Sequence, residues 1–406
     1  MSPLPNPPTS PWRSRQLLSG FFVLGALLLL AFAAGFGAQW LIARTAAATA
    51  EAPSYQLLHE AQGILENNFL GQTPNAQTQV YGAIHGMVET YHDPYTVFIE
   101  PQPRARERDQ LRGRFGGIGA QITISTTGQV FLQPLPDKPA ARAGIELNDE
   151  LLAVDGVDIA GKSADEIVDL VRGEVGTRVT LRLRRAGVDA PFDVAITREE
   201  IENPSVEWRL LEQDPTTGYI ALHIFGERTA AELRTALEDL HAQGAQRLIL
   251  DLRHNPGGLL EAAVDVASQF LKGGLVLSEQ KANDETKTYP VRGGGLATDI
   301  PLAVLTDEAT ASAAEIVAGA LQDAGRAPLI GRKTFGKGSV QLVFDLTDGS
   351  SIHVTVARWL TPGNHQIDGT GLTPDVPVAT ENAPAGSDPD IAAALAWWAN
   401  QPAAGQ

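Results

Sequence analysis

The sequence predicts an α/β fold, and three changes of pattern carry that reading. From about residue 203 onward, apolar strand-like runs alternate with helical stretches. Over 112–198 the pattern shifts to short alternating strands around a single helix, and over 54–110 apolar residues recur every three to four positions. Buried apolar strands separated by helices make a largely parallel sheet with both faces covered. The chain therefore reads as a mixed α/β core at 203–380, a smaller inserted domain at 112–198, an N-terminal helical region and an apolar anchor before it.

Taken in order, residues 1–16 are rich in Pro and Ser and are predicted to be a disordered cytoplasmic tail. Residues 17–43 contain no charged side chain. As a helix they would reach roughly 40 Å at about 1.5 Å per residue, enough to span a bilayer with tilt. Arg13 and Arg15 precede this run and Arg44 alone follows it closely. That asymmetry puts the N-terminus in the cytoplasm and the body of the chain outside, anchored in the plasma membrane. A cleaved signal peptide is the alternative, since "TAAATAEA" offers small residues for processing, and it would leave a secreted protein.

The helical region places Leu57, Leu58, Ile64, Leu65 and Phe69, then Val80, Ile84 and Val88, at helical spacing, and it is the candidate contact for a homodimer. "YHDPYTVFIEP" interrupts it with Asp-Pro and a short extended run. In the inserted domain, "GRFGGIGAQITI" gives a Gly-rich turn and a strand, and "ELNDELLAVDGVDI" a strand turning at Asp155-Gly156. Ser163 caps a helix with Ile167, Val168 and Val171 on one face, and "RVTLRLRR" alternates with period two. The core follows as "GYIALHIF" (strand), "AELRTALEDLHAQG" (helix), "RLILDLR" (strand), a helix near 259–271, "PLAVLTD" (strand) and a helix opening at Ser312. "APLIGR" and "SVQLVFDL" are further strands, and 381–406 reads as a tail.

Composition removes several chemistries. The formal charge of −17 argues against nucleic acid, whose phosphates need a basic face. The absence of cysteine excludes disulfides, thiol catalysis and Cys-ligated zinc.

The informative stretch is "EATASAAEIVAGALQDAGRA". Ser312-Ala313-Ala314-Glu315 fits a capping box, with Gly325 as the stop of the helix. The same serine stands where a strand ends and a helix begins, the place where α/β sheets collect catalytic groups, and the surrounding alanines leave room for a substrate backbone. A nucleophile needs a base. "KTFGKGSVQ" sets Lys337 between glycines, where burial would lower its affinity for a proton; a solvated loop lysine is the plainer reading. If a strand starts there, Lys337, Ser339 and Gln341 share a face. "LDLRHNPGGLL" adds Gly257 and Gly258, either an ordinary turn or donors for an oxyanion. No histidine has a recognisable triad context; His254 and His353 are the nearest alternatives to a lysine base.

Together, "LDLRHNPGG", "ATASAAEIVAGALQDAGRA", "KTFGKGSVQ" and the later "GTGLTPDVPV" resemble the carboxyl-terminal processing peptidases, also called tail-specific proteases. That resemblance covers about 55–380. It implies serine endopeptidase activity near the C-terminus of protein substrates, with Ser312 as nucleophile, Lys337 as general base and Gln341 orienting the lysine. Amides of Ala313 and of Gly257 or Gly258 would form the oxyanion hole. "RFGGIGAQI" and "KPAARAGIELNDELLAVDGVDI" resemble a PDZ domain, which implies that Gly117, Ile118, Gly119 and Ala120 bind apolar C-terminal tails and that the domain gates or recruits for the protease. No metal or organic cofactor is implied. Ala314 and Ala309 depart from residues frequent in the family, at positions without a mechanistic role.

Overall fold

A computed structural model describes residues 53–379 and 387–400. The chain divides into two compact units, one ending at Val80 and the other beginning at Tyr81. The predicted anchor at 17–43 lies outside the described residues; among those described, no helix is long and apolar enough to cross a membrane. Helix α1 (Pro53–Asn68) belongs to the first unit, and α2 (Ala76–Glu89) runs across the boundary. The second unit continues with β1 (Val97–Ile99), the extended run after Asp-Pro, and α3 (Pro101–Arg112).

The inserted domain starts with β2 (Arg114–Gly117), β3 (Ala120–Ile124), β4 (Val130–Pro134), the one-turn α4 (Pro139–Arg142), β5 (Asp149–Val154) and β6 (Val157–Asp158). It closes with α5 (Ala164–Val171), β7 (Arg178–Arg184), β8 (Phe192–Thr197) and β9 (Glu199–Glu202). Strands β3-β4-β5-β7-β8 form an antiparallel sheet with β6 paired to β5, while β2 and β9 pair separately. Local chemistry fixes its details. Asp155 and Gly156 both have positive φ, 48° and 80°, as a tight two-residue hairpin turn requires. Ser163 and Glu166 complete a reciprocal capping box at the start of α5. On β7 the alternate side chains Val179, Leu181 and Leu183 are fully buried, packing with Ile167 in the domain's own core.

In the core, β10 (Val206–Leu211), β11 (Asp214–Leu222), α6 (Thr229–Ala242), β12 (Arg247–Asp251), α7 (Leu260–Ser268), β13 (Leu275–Lys281), β14 (Thr286–Pro290), β15 (Leu302–Thr306) and α8 (Ala313–Asp323) follow. The chain ends with β16 (Leu329–Gly331), β17 (Ser339–Asp345), β18 (Ser351–Leu360), β19 (Val376–Pro377) and α9 (Pro389–Ala399). The central sheet has the order β10-β11-β12-β15-β16-β19, parallel from β11 onward. Pro377 sits on its last strand, at an edge, where a missing N–H is tolerated. An antiparallel sheet, β1-β18-β13-β14 with β17 on β18, stands beside it.

The continuous apolar runs of β12 and β15 have a plain cause: both faces of the central sheet are covered. Leu248, Leu250, Leu302 and Val304 pack toward α6, α7 and α8. Ile249, Ala303 and Leu305 pack toward Ile391 and Ala394 of α9. Where the sequence suggested a tail, there is a helix that covers one face of the sheet. Its N-cap is Asp388, which accepts from the N–H groups of Asp390 and Ile391.

Candidate active site

Strand β15 ends at Thr306, a short loop follows, and Ser312 stands at the N-cap of α8. An ordinary N-cap residue has extended backbone angles and a side chain that accepts an N–H. Ser312 has φ 54° and ψ −116° and makes no side-chain cap hydrogen bond. A non-glycine residue in such a conformation carries strain of about 1–3 kcal/mol, which capping does not require. The carboxylate half of the box is a formed hydrogen bond: Glu315 Oε2 accepts from Ser312 N at 2.9 Å. The strained turn lifts the hydroxyl out of the helix start.

Glu315 also answers how the lysine loop is held. It is fully buried, and its two oxygens accept from Thr334 Oγ1 at 2.6 Å, Gly336 N at 2.7 Å and Lys337 N at 2.8 Å. Burial raises its affinity for a proton, and the four donors oppose that. One carboxylate thus ties the helix that begins with Ser312 to the loop that carries Lys337. Trp359 Nε1 donates to the Lys337 carbonyl at 3.1 Å. The glycines of "GTGLTPDVPV" close over the same loop: a Cβ on Gly371 would lie 2.2 Å from the Thr334 carbonyl. Lys337 precedes β17 instead of beginning it, so a clasp places it and not the strand alternation expected from sequence.

Ser312, Ala313, Lys337, Gln341, Gly257 and Gly258 line one cleft of about 370 Å³. Burial depresses the proton affinity of the Lys337 amine below the ordinary lysine value, while the carboxylates of Glu107, Asp93 and Glu315 pull the other way. Its Nζ lies 5.0 Å from the centre of the Tyr95 ring, within cation–π range. Tyr95 comes from the "YHDPYTVFIEP" interruption, so that segment serves the cleft.

Some expectations need adjustment. The hydrogen bond from Gln341 to Lys337 is not formed: Gln341 Nε2 donates to Ser339 Oγ at 2.6 Å and to Thr355 Oγ1 at 3.4 Å. The N–H of Gly257 is committed to Asn255 Oδ1 at 2.9 Å, leaving Gly258 as the loop donor to be considered. Gly257 is needed for closeness: its φ is 102°, and a Cβ there would lie 2.8 Å from Ser312 Cβ and 2.9 Å from Ala313 N. His254 lies outside the cleft lining and rests against Asp307 at 3.1 Å. His353 does line the cleft, with Nε2 3.4 Å from Glu107 Oε2. Gly117, Ile118, Gly119 and Ala120 all lie in the inserted domain and none lines the cleft. Ile118 is buried in that domain's core, and position 119 suits glycine twice over, with φ 68° and space in which a Cβ would lie 2.3 Å from Lys138 Cβ.

Sequence reading missed Glu107, Gln110 and Leu111 of α3 and Trp359 of β18, all of which line the cleft, and weighed His353 only as an alternative base. Charged helix surface and alternating strand carry no local mark of such a role. They become cleft residues only when α3 and β18 meet.

A serine opening a helix from a strained turn above a parallel sheet, with a half-buried lysine in the same cleft, is the arrangement of a serine-type peptidase. Comparison with known proteins narrows the class. Residues 216–378 match the model of peptidase family S41, and residues 130–185 match a PDZ domain. The chain is 36% identical over 367 residues to a carboxyl-terminal-processing protease of Synechocystis sp., covering 85% of this chain and 86% of that one. It is 34% identical over 365 residues to the carboxy-terminal processing protease CtpA of Bacillus subtilis, covering 89% and 77% respectively. A solved Bacteroides fragilis structure assigned to the S41 proteases shares the fold, with TM-score 0.52 and 19% identity over 81% of this chain and 92% of that one. The chain belongs to peptidase family S41, as a carboxyl-terminal processing serine peptidase with a PDZ domain.

Proposed function

We propose that this chain cuts protein substrates near their C-terminus by a Ser–Lys mechanism, with the PDZ domain holding the apolar tail. Neutral Lys337 takes the proton of Ser312 as its oxygen bonds to the scissile carbonyl carbon. The N–H groups of Ala313 and Gly258 receive the oxyanion. Collapse breaks the C–N bond, the Lys337 ammonium protonates the leaving amine, and a water deprotonated by the same lysine hydrolyses the acyl-enzyme. Gln341 reaches Lys337 through its free Oε1 once the side chain turns from Ser339. The N–H groups of the Gly117–Ala120 loop hold the tail carboxylate, and the strand beside them extends the tail's backbone.

The observation that carries this reading is the strained Ser312 backbone in a cleft shared with a lysine whose ammonium burial makes easier to deprotonate. The test compares soluble protein starting at Glu51 with its Lys337→Ala form on an unfolded substrate ending in apolar residues. Cleavage by the parent only, with tail binding in both, supports the mechanism. Tail binding without cleavage in either would indicate an adaptor. Undiminished cleavage by Lys337→Ala, lost instead in His353→Ala, would transfer the base to the imidazole that also lines the cleft.

The membrane and dimer readings belong to the same proposal. Full-length protein is expected to fractionate with membranes and its catalytic part to be accessible from outside, whereas a form starting at Glu51 is expected to be soluble. Release of a shortened full-length product from the membrane would favour signal cleavage. Sedimentation of the Glu51 form, with and without residues before Val80, tests the N-terminal helices as a dimer contact.

A further inference from the structure

The C-terminal helix does more than cover the sheet. Its N-terminal end holds two arginines that stand at the roots of cleft loops. Asp390 has only 1% of its side chain exposed. Asp390 Oδ2 accepts from Arg253 Nη1 at 2.8 Å, and both its oxygens accept from Arg332 Nη1 at 3.0 Å. Arg253 immediately precedes the loop of Asn255, Gly257 and Gly258, and Arg332 opens the segment leading to Lys337. Arg332 Nε also lies 3.2 Å from Glu308 Oε2, in the loop leading to Ser312. Arg253 has further partners in Asp251, at 2.6 Å, and in the helix N-cap Asp388, at 2.8 Å.

We propose that Asp390 is a positioning residue, through which the C-terminal helix fixes the roots of the glycine loop and the lysine loop in one register around Ser312. The proposal rests on the Ser–Lys reading. A surface ion pair would do little, but this carboxylate is buried between two guanidiniums whose planar forks fix direction as well as distance. Asp390 is the only group named here that contacts both arginines. With it neutralised, the Arg253 guanidinium keeps Asp251 and Asp388, whereas among the described residues the Arg332 guanidinium keeps Glu308 alone, whose side chain is 72% exposed. The lysine loop is therefore the side that loosens first.

This asymmetry sets the test. Parent, Asp390→Asn and Asp390→Glu forms of the full chain are compared for kcat and KM from pH 6 to 10, for tail-peptide binding, and for thermal unfolding. Asp390→Asn keeps the volume and removes the charge. A loosened loop exposes Lys337 to water and frees it from burial, so its deprotonation moves to higher pH. Near neutral pH, kcat is expected to fall ~10-fold, a fraction of what a general base contributes. It should recover as pH rises, with KM and tail affinity within about twofold of the parent. Asp390→Glu should recover part of the neutral-pH rate. The groups facing the lysine, Glu107, Asp93, Glu315, Tyr95 and His353, are untouched in every variant, so a shifted profile reports the loop and not a changed neighbour.

A folded Asp390→Asn enzyme with the parent's kcat and pH profile overturns the proposal, even if its unfolding temperature drops, because the helix would then only cover the sheet. If that variant does not fold, Arg332→Gln removes the lysine-loop arm alone and is expected to show the same shift; a parental profile there overturns the proposal equally. Failure of the Ser–Lys reading looks different: the parent would not cleave, or Lys337→Ala would cleave undiminished.

Discussion

The PDZ domain and the protease core are built from the same elements but hold their working residues in opposite ways. In the PDZ domain the features that define the structure are neighbours in sequence: the Asp155-Gly156 turn, the Ser163–Glu166 box and the alternation of β7. In the core, the cleft draws on α3, the loops after β12 and β15, the loop before β17, and β18. Its central tie, Glu315, joins two loops through backbone N–H groups. The lesson is that a binding module can be fixed by local pattern, while a cleft for bond cleavage is fixed by buried polar contacts between distant loops. Such contacts are also where damage should show as lost rate before lost fold.

The largest test of that separation is chemical. Lys337→Ala should reduce cleavage by at least ~10²-fold, the lower range for a general base, and leave tail binding unchanged. A parallel loss of tail affinity would break the comparison, since the PDZ domain would then depend on the catalytic loop. Next in size is the converse change. Leu181 is fully buried in the PDZ core, and Leu181→Ala is expected to destabilise that domain by about 2–5 kcal/mol. Chemical unfolding should then show an early transition with loss of tail binding, while cleavage of a short peptide persists. Ser163→Ala sharpens the same point more gently. Removing the Ser163 half of the capping box should lower the stability of the PDZ domain by about 1 kcal/mol. A shift of the core's unfolding transition would show that the two do not unfold separately.

The same contrast explains what could be read from the sequence. Period-two and helical patterns gave part of each region, β7 and α5 in the PDZ domain and β11 and α6 in the core among them, because burial on one face writes itself into alternate or every third and fourth residue; the pattern reading named no strand at β13, β14 or β18. Ser312, Lys337, Gln341 and the Gly257-Gly258 pair could be singled out because their neighbours are unusual: small residues, glycines, and a strand that stops at a helix. Glu107 lies in a helix whose charged surface is ordinary, and Trp359 lies on a strand in plain alternation. Nothing local distinguishes them. The C-terminal helix was hidden for another reason. Residues 381–406 read as a tail, but Pro389 falls in the first turn of the helix, where its missing N–H does no harm. Lys337 lies two residues before β17, so strand periodicity does not place it; a buried glutamate 22 residues away does.

The smallest effect tests whether α3, which leads into the PDZ domain, also touches the chemistry. Burial by itself would raise the proton affinity of Glu107, but His353 and Arg104 hold the carboxyl below its usual range, so it is ionised through neutral pH. An anion beside Lys337 favours the ammonium and works against the burial that frees the amine. Glu107→Gln removes that anion while Arg104 keeps Asp345 at 2.8 Å. Lys337 should then lose its proton at lower pH, and the rising limb of kcat/KM against pH should move in the acid direction. The shift should be modest, because Asp93 and Glu315 remain and the cleft is partly open to screening water. An unmoved limb would mean that α3 only walls the cleft. A limb displaced toward higher pH would require that losing Glu107 lets water reach the lysine, in which case the helix acts by keeping the cleft dry.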